Sequence, residues 1–102
     1  MGEFKQAVVV ITGAAGNLGR AVAQCFAAEG AHLALLDLDT TGIGETISVC
    51  QGQGAAQAFA TDLIDPRSVE KTINEVLAAF GKIDRKSTRL KTINEVLAAF
   101  GK

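Results

Sequence analysis

The sequence predicts an α/β fold: part of a doubly wound parallel sheet of strand order 3-2-1, truncated before a fourth strand, with an extra C-terminal helix. Two observations predict it. Short apolar runs alternate with amphipathic stretches through the first two-thirds of the chain, and the first run passes straight into a Gly-rich turn that opens a helix.

The first strand is predicted over residues 7–12, AVVVIT. After it Leu18, Ala21, Val22, Cys25 and Phe26 recur at helical spacing, and Gly30 stands where a left-handed C-terminal cap is wanted. A second strand is predicted over residues 32–37. The crossover that follows, residues 40–54, holds Gly42, Gly44, Gly52 and Gly54, which confines its predicted helix to residues 44–51. The third strand falls at residues 57–61. Asp65 then caps a third helix, with Pro66 in its first position, an apolar face of Val69, Ile73, Val76, Leu77 and Phe80, and Gly81 as its end.

Beyond that helix the pattern changes. Residues 71–82, KTINEVLAAFGK, recur letter for letter as residues 91–102. Natural tandem repeats drift, and this copy duplicates most of one helix and not a self-contained stacking unit. Between the copies, residues 84–90, DRKSTRL, resemble the in-frame translation of a common sequencing-library adapter. The expected organisation is therefore a nucleotide-binding portion over residues 1–83, an adapter-like junction over 84–90 and a duplicated helix over 91–102. Truncation before a fourth strand is expected to expose a long apolar edge. The duplicated helix could cover part of that surface without supplying ladder hydrogen bonds.

Composition narrows the function classes. The chain has 102 residues, enough for one core and too few for two ordinary domains. Its net charge of -1 gives no electrostatic reason to expect nucleic acid or an anionic membrane as partner. The apolar runs fall far short of a bilayer span, and the N-terminus has no signal-peptide pattern, so the cytoplasm is expected. Cys25 and Cys50 lack metal-ligand spacing and read as reduced thiols, with no metal site expected.

The chemistry is carried by Thr12-Gly13-Ala14-Ala15-Gly16-Asn17-Leu18-Gly19, set between a strand and a helix. Gly13 is expected to take the tight turn. Gly16 and Asn17 let the backbone pass close to a pyrophosphate, and Gly19 lets the helix approach the sheet. The helix's unpaired N–H groups and macrodipole would face the phosphates. About 20 residues on, Asp37 ends the second strand, where its carboxylate can accept from the adenosine ribose hydroxyls and repel a 2′-phosphate. Asp39 is a competitor one step into the loop. Neither Ala14 nor Ala15 is basic and Leu38 follows the acid, so NAD is favoured over NADP.

These residues resemble the short-chain dehydrogenase/reductase family, whose turn commonly reads TGxxxGxG, over residues 5 to about 83. Asn17 stands where the middle Gly of that pattern falls. The spacing TGxxGxxG also resembles the extended sugar-nucleotide epimerase branch, although a bulky aromatic at position 17 would suit that branch better, so Asn17 leans toward the short reductases. The resemblance implies a partial Rossmann fold with cofactor contacts at Gly13, Ala15, Gly16, Asn17, Leu18, Gly19, Asp37 and Leu38. It further implies that Asp62 meets the adenine amino group and that Leu63 packs beside the ring. The plainer alternative for those two is a helix-approach loop in front of the Asp65 cap.

In the family, hydride transfer uses an Asn-Asn-Ala-Gly segment, a Ser and a Tyr-x-x-x-Lys pair, and this chain contains no Tyr. No catalytic residue is assigned, and the chain is expected to be inactive alone. The sole His, His32, reads as a surface residue. The expectation is the cofactor-binding part of an NAD(P)-dependent oxidoreductase, in intact form homo-oligomeric, moving a hydride to or from a small carbonyl or alcohol substrate. A non-catalytic dinucleotide-sensing module is the rival from another class.

Overall fold

The structure is a computed structural model that describes residues 7–52 and 54–80, together with the backbone of 90–92. The first apolar run forms β1 (Val8–Thr12), in which four consecutive β-branched residues are essentially excluded from water. Such burial on both faces requires a layer of helices on each side. The elements that follow supply them: α1 (Asn17–Ala28), β2 (His32–Asp37), α2 (Thr40–Val49), β3 (Ala56–Ala60), α3 (Pro66–Phe80) and β4 (Leu90–Thr92).

All strands are parallel, and the sheet order is β3-β2-β1-β4. Residues Val8 to Thr12 pair with His32 to Leu36, and Leu33 to Asp37 pair with Ala56 to Ala60. The two-residue period of the strands divides the core. Val9, Ile11, Leu33 and Leu35 meet Ala23, Phe26 and Ala27 of α1 and Ile43 of α2. Val8, Val10, Ala34, Leu36 and Phe59 meet Val76 and Phe80 of α3 on the other face. The expected 3-2-1 arrangement of the first three strands is thus present, and α1 ends as predicted at Gly30, whose φ of 82° is left-handed.

Three details differ. The second helix starts at Thr40, four residues before the predicted start, because Asp39 caps it: its carboxylate accepts the N–H of Gly42 at 2.9 Å. That bond outweighs the helix-weakening glycines that moved the predicted start inward. His32 is half-buried, not a free surface residue; its Nδ1 accepts the N–H of Ala55 at 2.9 Å and its ring centroid lies 6.1 Å from that of Phe80.

The third difference is at the edge of β1, where a fourth strand was not expected. Leu90, Lys91 and Thr92 pair with Val8, Val9 and Val10. The end of the adapter-like junction and the first two residues of the duplicated segment are therefore extended, not linker and helix. The physical reason is the edge itself: four of the five β1 residues are buried, and the strand's N–H and C=O groups need partners that a helix cannot give. The remainder of the junction and of the predicted C-terminal helix lies outside the described residues. Among the described residues no helix is long and apolar enough to cross a membrane.

Candidate functional site

The parallel sheet brings three chain reversals to one edge, at the carboxyl ends of β1, β2 and β3, and every predicted site residue lies in one of them or in the element end that adjoins it. After β1 the backbone turns at Gly13, whose φ of 65° is left-handed, and the N–H of Gly16 donates to the Gly13 carbonyl at 3.0 Å. Gly16 is the extended N-cap of α1 and has no side chain to bond the helix start. The N–H groups of Asn17, Leu18 and Gly19 consequently have no protein acceptor among the described residues, and the first turn carries no acidic side chain. Gly19 lies against the turn: a Cβ there would collide with the Gly13 carbonyl oxygen and come within 2.9 Å of the Ala14 Cα.

Asp37 closes the second reversal. Its Oδ2 accepts the N–H of Ala15 at 3.1 Å and its Oδ1 accepts the N–H of Asp39 at 3.1 Å. The acid is thereby tied to the Gly-rich turn across a gap of 22 residues. Asp39, the competing acid, is committed to capping α2. Leu38 is 69% exposed and Leu18 71% exposed, so two large apolar side chains stand in water at this edge, where an apolar partner would be needed to cover them.

The third reversal carries Asp62 and Leu63 in the loop that leads into α3. Asp65 does cap α3, its Oδ1 accepting the N–H of Arg67 at 3.0 Å. Asp62 uses Oδ1 on the N–H of Ile64 at 3.1 Å, and its own N–H donates to Ser68 Oγ at 2.9 Å. Leu63 and Ile64 are exposed beside it. The N–H of Thr61 donates to the Asp37 carbonyl at 3.0 Å, which joins the second and third reversals.

Sequence reasoning missed the supports beneath the turn. Thr46 of α2 is completely buried and donates to the Ala14 carbonyl at 2.6 Å, while Arg20 of α1 donates through Nε to Thr46 Oγ1 at 3.2 Å and pairs with Glu45 at 3.4 Å. The available signal was a Thr on the apolar side of a short helix, which alone says nothing about its partner.

A family model described as short chain dehydrogenase matches residues 7–85. The chain is 40% identical over 82 residues to meso-2,3-butanediol dehydrogenase of Serratia marcescens, covering 80% of this chain and 32% of that relative. It is 38% identical over 78 residues to D-threitol dehydrogenase of Mycolicibacterium smegmatis, covering 76% and 30%. Among solved structures, NAD+-bound xylitol dehydrogenase superposes with a TM-score of 0.73 at 35% identity, over 80% of this chain and 32% of that one. A 3-ketoacyl-(acyl-carrier-protein) reductase from Brucella melitensis complexed with NADH gives 0.69 at 28% identity, over 78% and 32%. The chain thus spans about a third of the length of these relatives.

Proposed function

This chain belongs to the short-chain dehydrogenase family, and we propose that its described part is the NAD-binding portion of an oxidoreductase that moves a hydride to or from a small alcohol or carbonyl compound. The observation that carries this reading is the Ala15 to Asp37 bond, which holds a carboxylate beside an uncapped helix N-terminus. The residues fit a dinucleotide on their own geometry. Gly13 takes the left-handed turn, Gly16 opens the helix without a side chain, and Gly19 lets α1 lie against the turn. The free N–H groups of Asn17, Leu18 and Gly19 suit the pyrophosphate, with the positive end of the α1 dipole behind them.

Asp37 would accept from the adenosine ribose hydroxyls, and the backbone of Ala15 holds it for that task. Its charge opposes a 2′-phosphate, which makes NAD the preferred cofactor over NADP. Leu38 and Leu63 would pack beside the adenine ring, exchanging exposed apolar area for contact, and the free Oδ2 of Asp62 would meet the adenine amino group. The nicotinamide ring supplies hydride exchange when bound. The chain contains no Tyr to act as the partner acid or base, so this portion binds and orients and does not turn over substrate alone.

The relatives named for a diol and for polyols support an alcohol as substrate in the intact protein, and two free cysteines suit a reducing compartment such as the cytoplasm. Residues 1–83 are read as the nucleotide-binding portion, and the exact repeat at 91–102 behind an adapter-like junction as foreign to it. Titration calorimetry of the full chain with NAD, NADP and AMP tests the reading. Saturable NAD binding, stronger than NADP, supports it; no binding of any of the three overturns it.

A further inference from the structure

The two ends of one peptide group in the Gly-rich turn are held by different elements. The carbonyl of Ala14 and the N–H of Ala15 belong to the same plane. The carbonyl accepts from Thr46 Oγ1 at 2.6 Å, and the N–H donates to Asp37 Oδ2 at 3.1 Å. We propose that Thr46 is a positioning residue for Asp37: its hydroxyl fixes the Ala14–Ala15 peptide plane, and that plane presents the N–H that holds the carboxylate at the nucleotide site.

The geometry favours this use of the hydroxyl. A Thr hydroxyl has one hydrogen to donate. Arg20 Nε already donates to its oxygen at 3.2 Å, so the hydroxyl's own hydrogen is directed elsewhere. Two carbonyls compete for it, Ala14 at 2.6 Å and Gly42 at 3.2 Å, and the shorter bond falls in the favoured range for a hydroxyl donor. The N–H of Ala14 donates to the Leu36 carbonyl at 3.1 Å, so the residue before the plane is pinned to the end of β2 as well. Ala14 is wholly buried, and water cannot replace the Thr46 donor without local opening. Arg20, held in turn by Glu45, completes a chain of contacts from α1 through α2 to the turn and then to Asp37.

The consequence for binding rests on the proposed function, whereas the clamp itself does not, and the test separates them. Thr46→Val keeps the shape and removes the donor; Thr46→Ser restores it. Two readouts are taken on the full chain: hydrogen exchange of the Ala15 amide by NMR, and NAD affinity by calorimetry. Thr46→Val is expected to speed Ala15 exchange on the order of tenfold and to weaken NAD by about three- to tenfold, with Thr46→Ser near the parent in both. Repeating Thr46→Val in an Asp37→Ala background decides whether the effect passes through the acid: the loss of NAD affinity should then vanish. An equal loss in both backgrounds, or unchanged Ala15 exchange in Thr46→Val, overturns the proposal. If Thr46→Val fails to fold, Thr46→Ala carries the same two arms. If the parent does not bind NAD, the proposed function falls and the exchange arm still decides the clamp.

Discussion

The backbone N–H of Ala15 reaches Oδ2 of Asp37 at 3.1 Å, joining the turn after β1 to the end of β2. The bond makes the acid part of the turn, so substituting it changes charge and geometry together. Asp37→Arg is expected to weaken NAD on the order of tenfold and to reverse the preference toward NADP, because a guanidinium pairs with the 2′-phosphate that the carboxylate repels. Calorimetry with both nucleotides measures it. Unchanged selectivity would show that the ribose lies elsewhere.

Two glycines in helices should respond with opposite signs. At Gly19 an added Cβ meets the backbone of Gly13 and Ala14, neither of which can yield as a side-chain tip would. Gly19→Ala should therefore cost about 1–3 kcal/mol, overriding the gain of about 1 kcal/mol that Ala normally brings to a helix. At Gly44, in the middle of α2, the same Cβ meets nothing within 4 Å. Gly44→Ala should stabilise by about 0.5–1 kcal/mol. Urea denaturation of both variants checks the pair, and equal signs would contradict the close approach of α1 to the turn.

The two thiols should react at different rates. Burial pushes the Cys50 thiol above its ordinary value, while Cys25 is exposed. A disulfide reagent at pH 8 is expected to label Cys25 first, since the thiolate is the nucleophile. The sign for stability follows from the raised value: the native state holds the Cys50 proton more tightly than the unfolded chain does. That contribution is complete below the ordinary thiol value of 9.0 and is lost as pH rises from there through the raised native value. Cys50→Ala should flatten the alkaline side of a denaturation profile, and an unchanged slope would place the thiol in water.

Much of this was legible because the signals were local. A β-branched run, a Gly-rich turn and an acid at the end of the next apolar run each reflect a constraint written within about ten residues, and the first three strands follow from them. The start of α2 was misplaced because glycine content was weighed above a single capping acid, Asp39. His32, Thr46 and Arg20 were opaque for another reason: their partners lie 23 to 26 residues or more away, and no short-range pattern names Ala55 or the Ala14 carbonyl. β4 was invisible because its three residues belong to segments whose composition argues for a linker and a helix. Its extended state comes from the partner strand.

One buried polar pair shows how such distant partners can be weighed. Thr61, at the end of β3, and Thr72 of α3 are both 1% exposed, with hydroxyls 2.8 Å apart. Thr61 Oγ1 also donates to the Phe59 carbonyl at 3.1 Å, which commits its hydrogen and leaves Thr72 as donor of the pair. Thr61→Val removes the acceptor and leaves a buried hydroxyl hydrogen without its partner, at a cost of about 1–3 kcal/mol. The Thr61→Val, Thr72→Val double variant removes both polar groups and keeps the volume, so it should recover most of that loss. Thermal unfolding of the two single variants and the double one completes the cycle. If the double variant loses the sum of the singles, the two hydroxyls do not depend on each other.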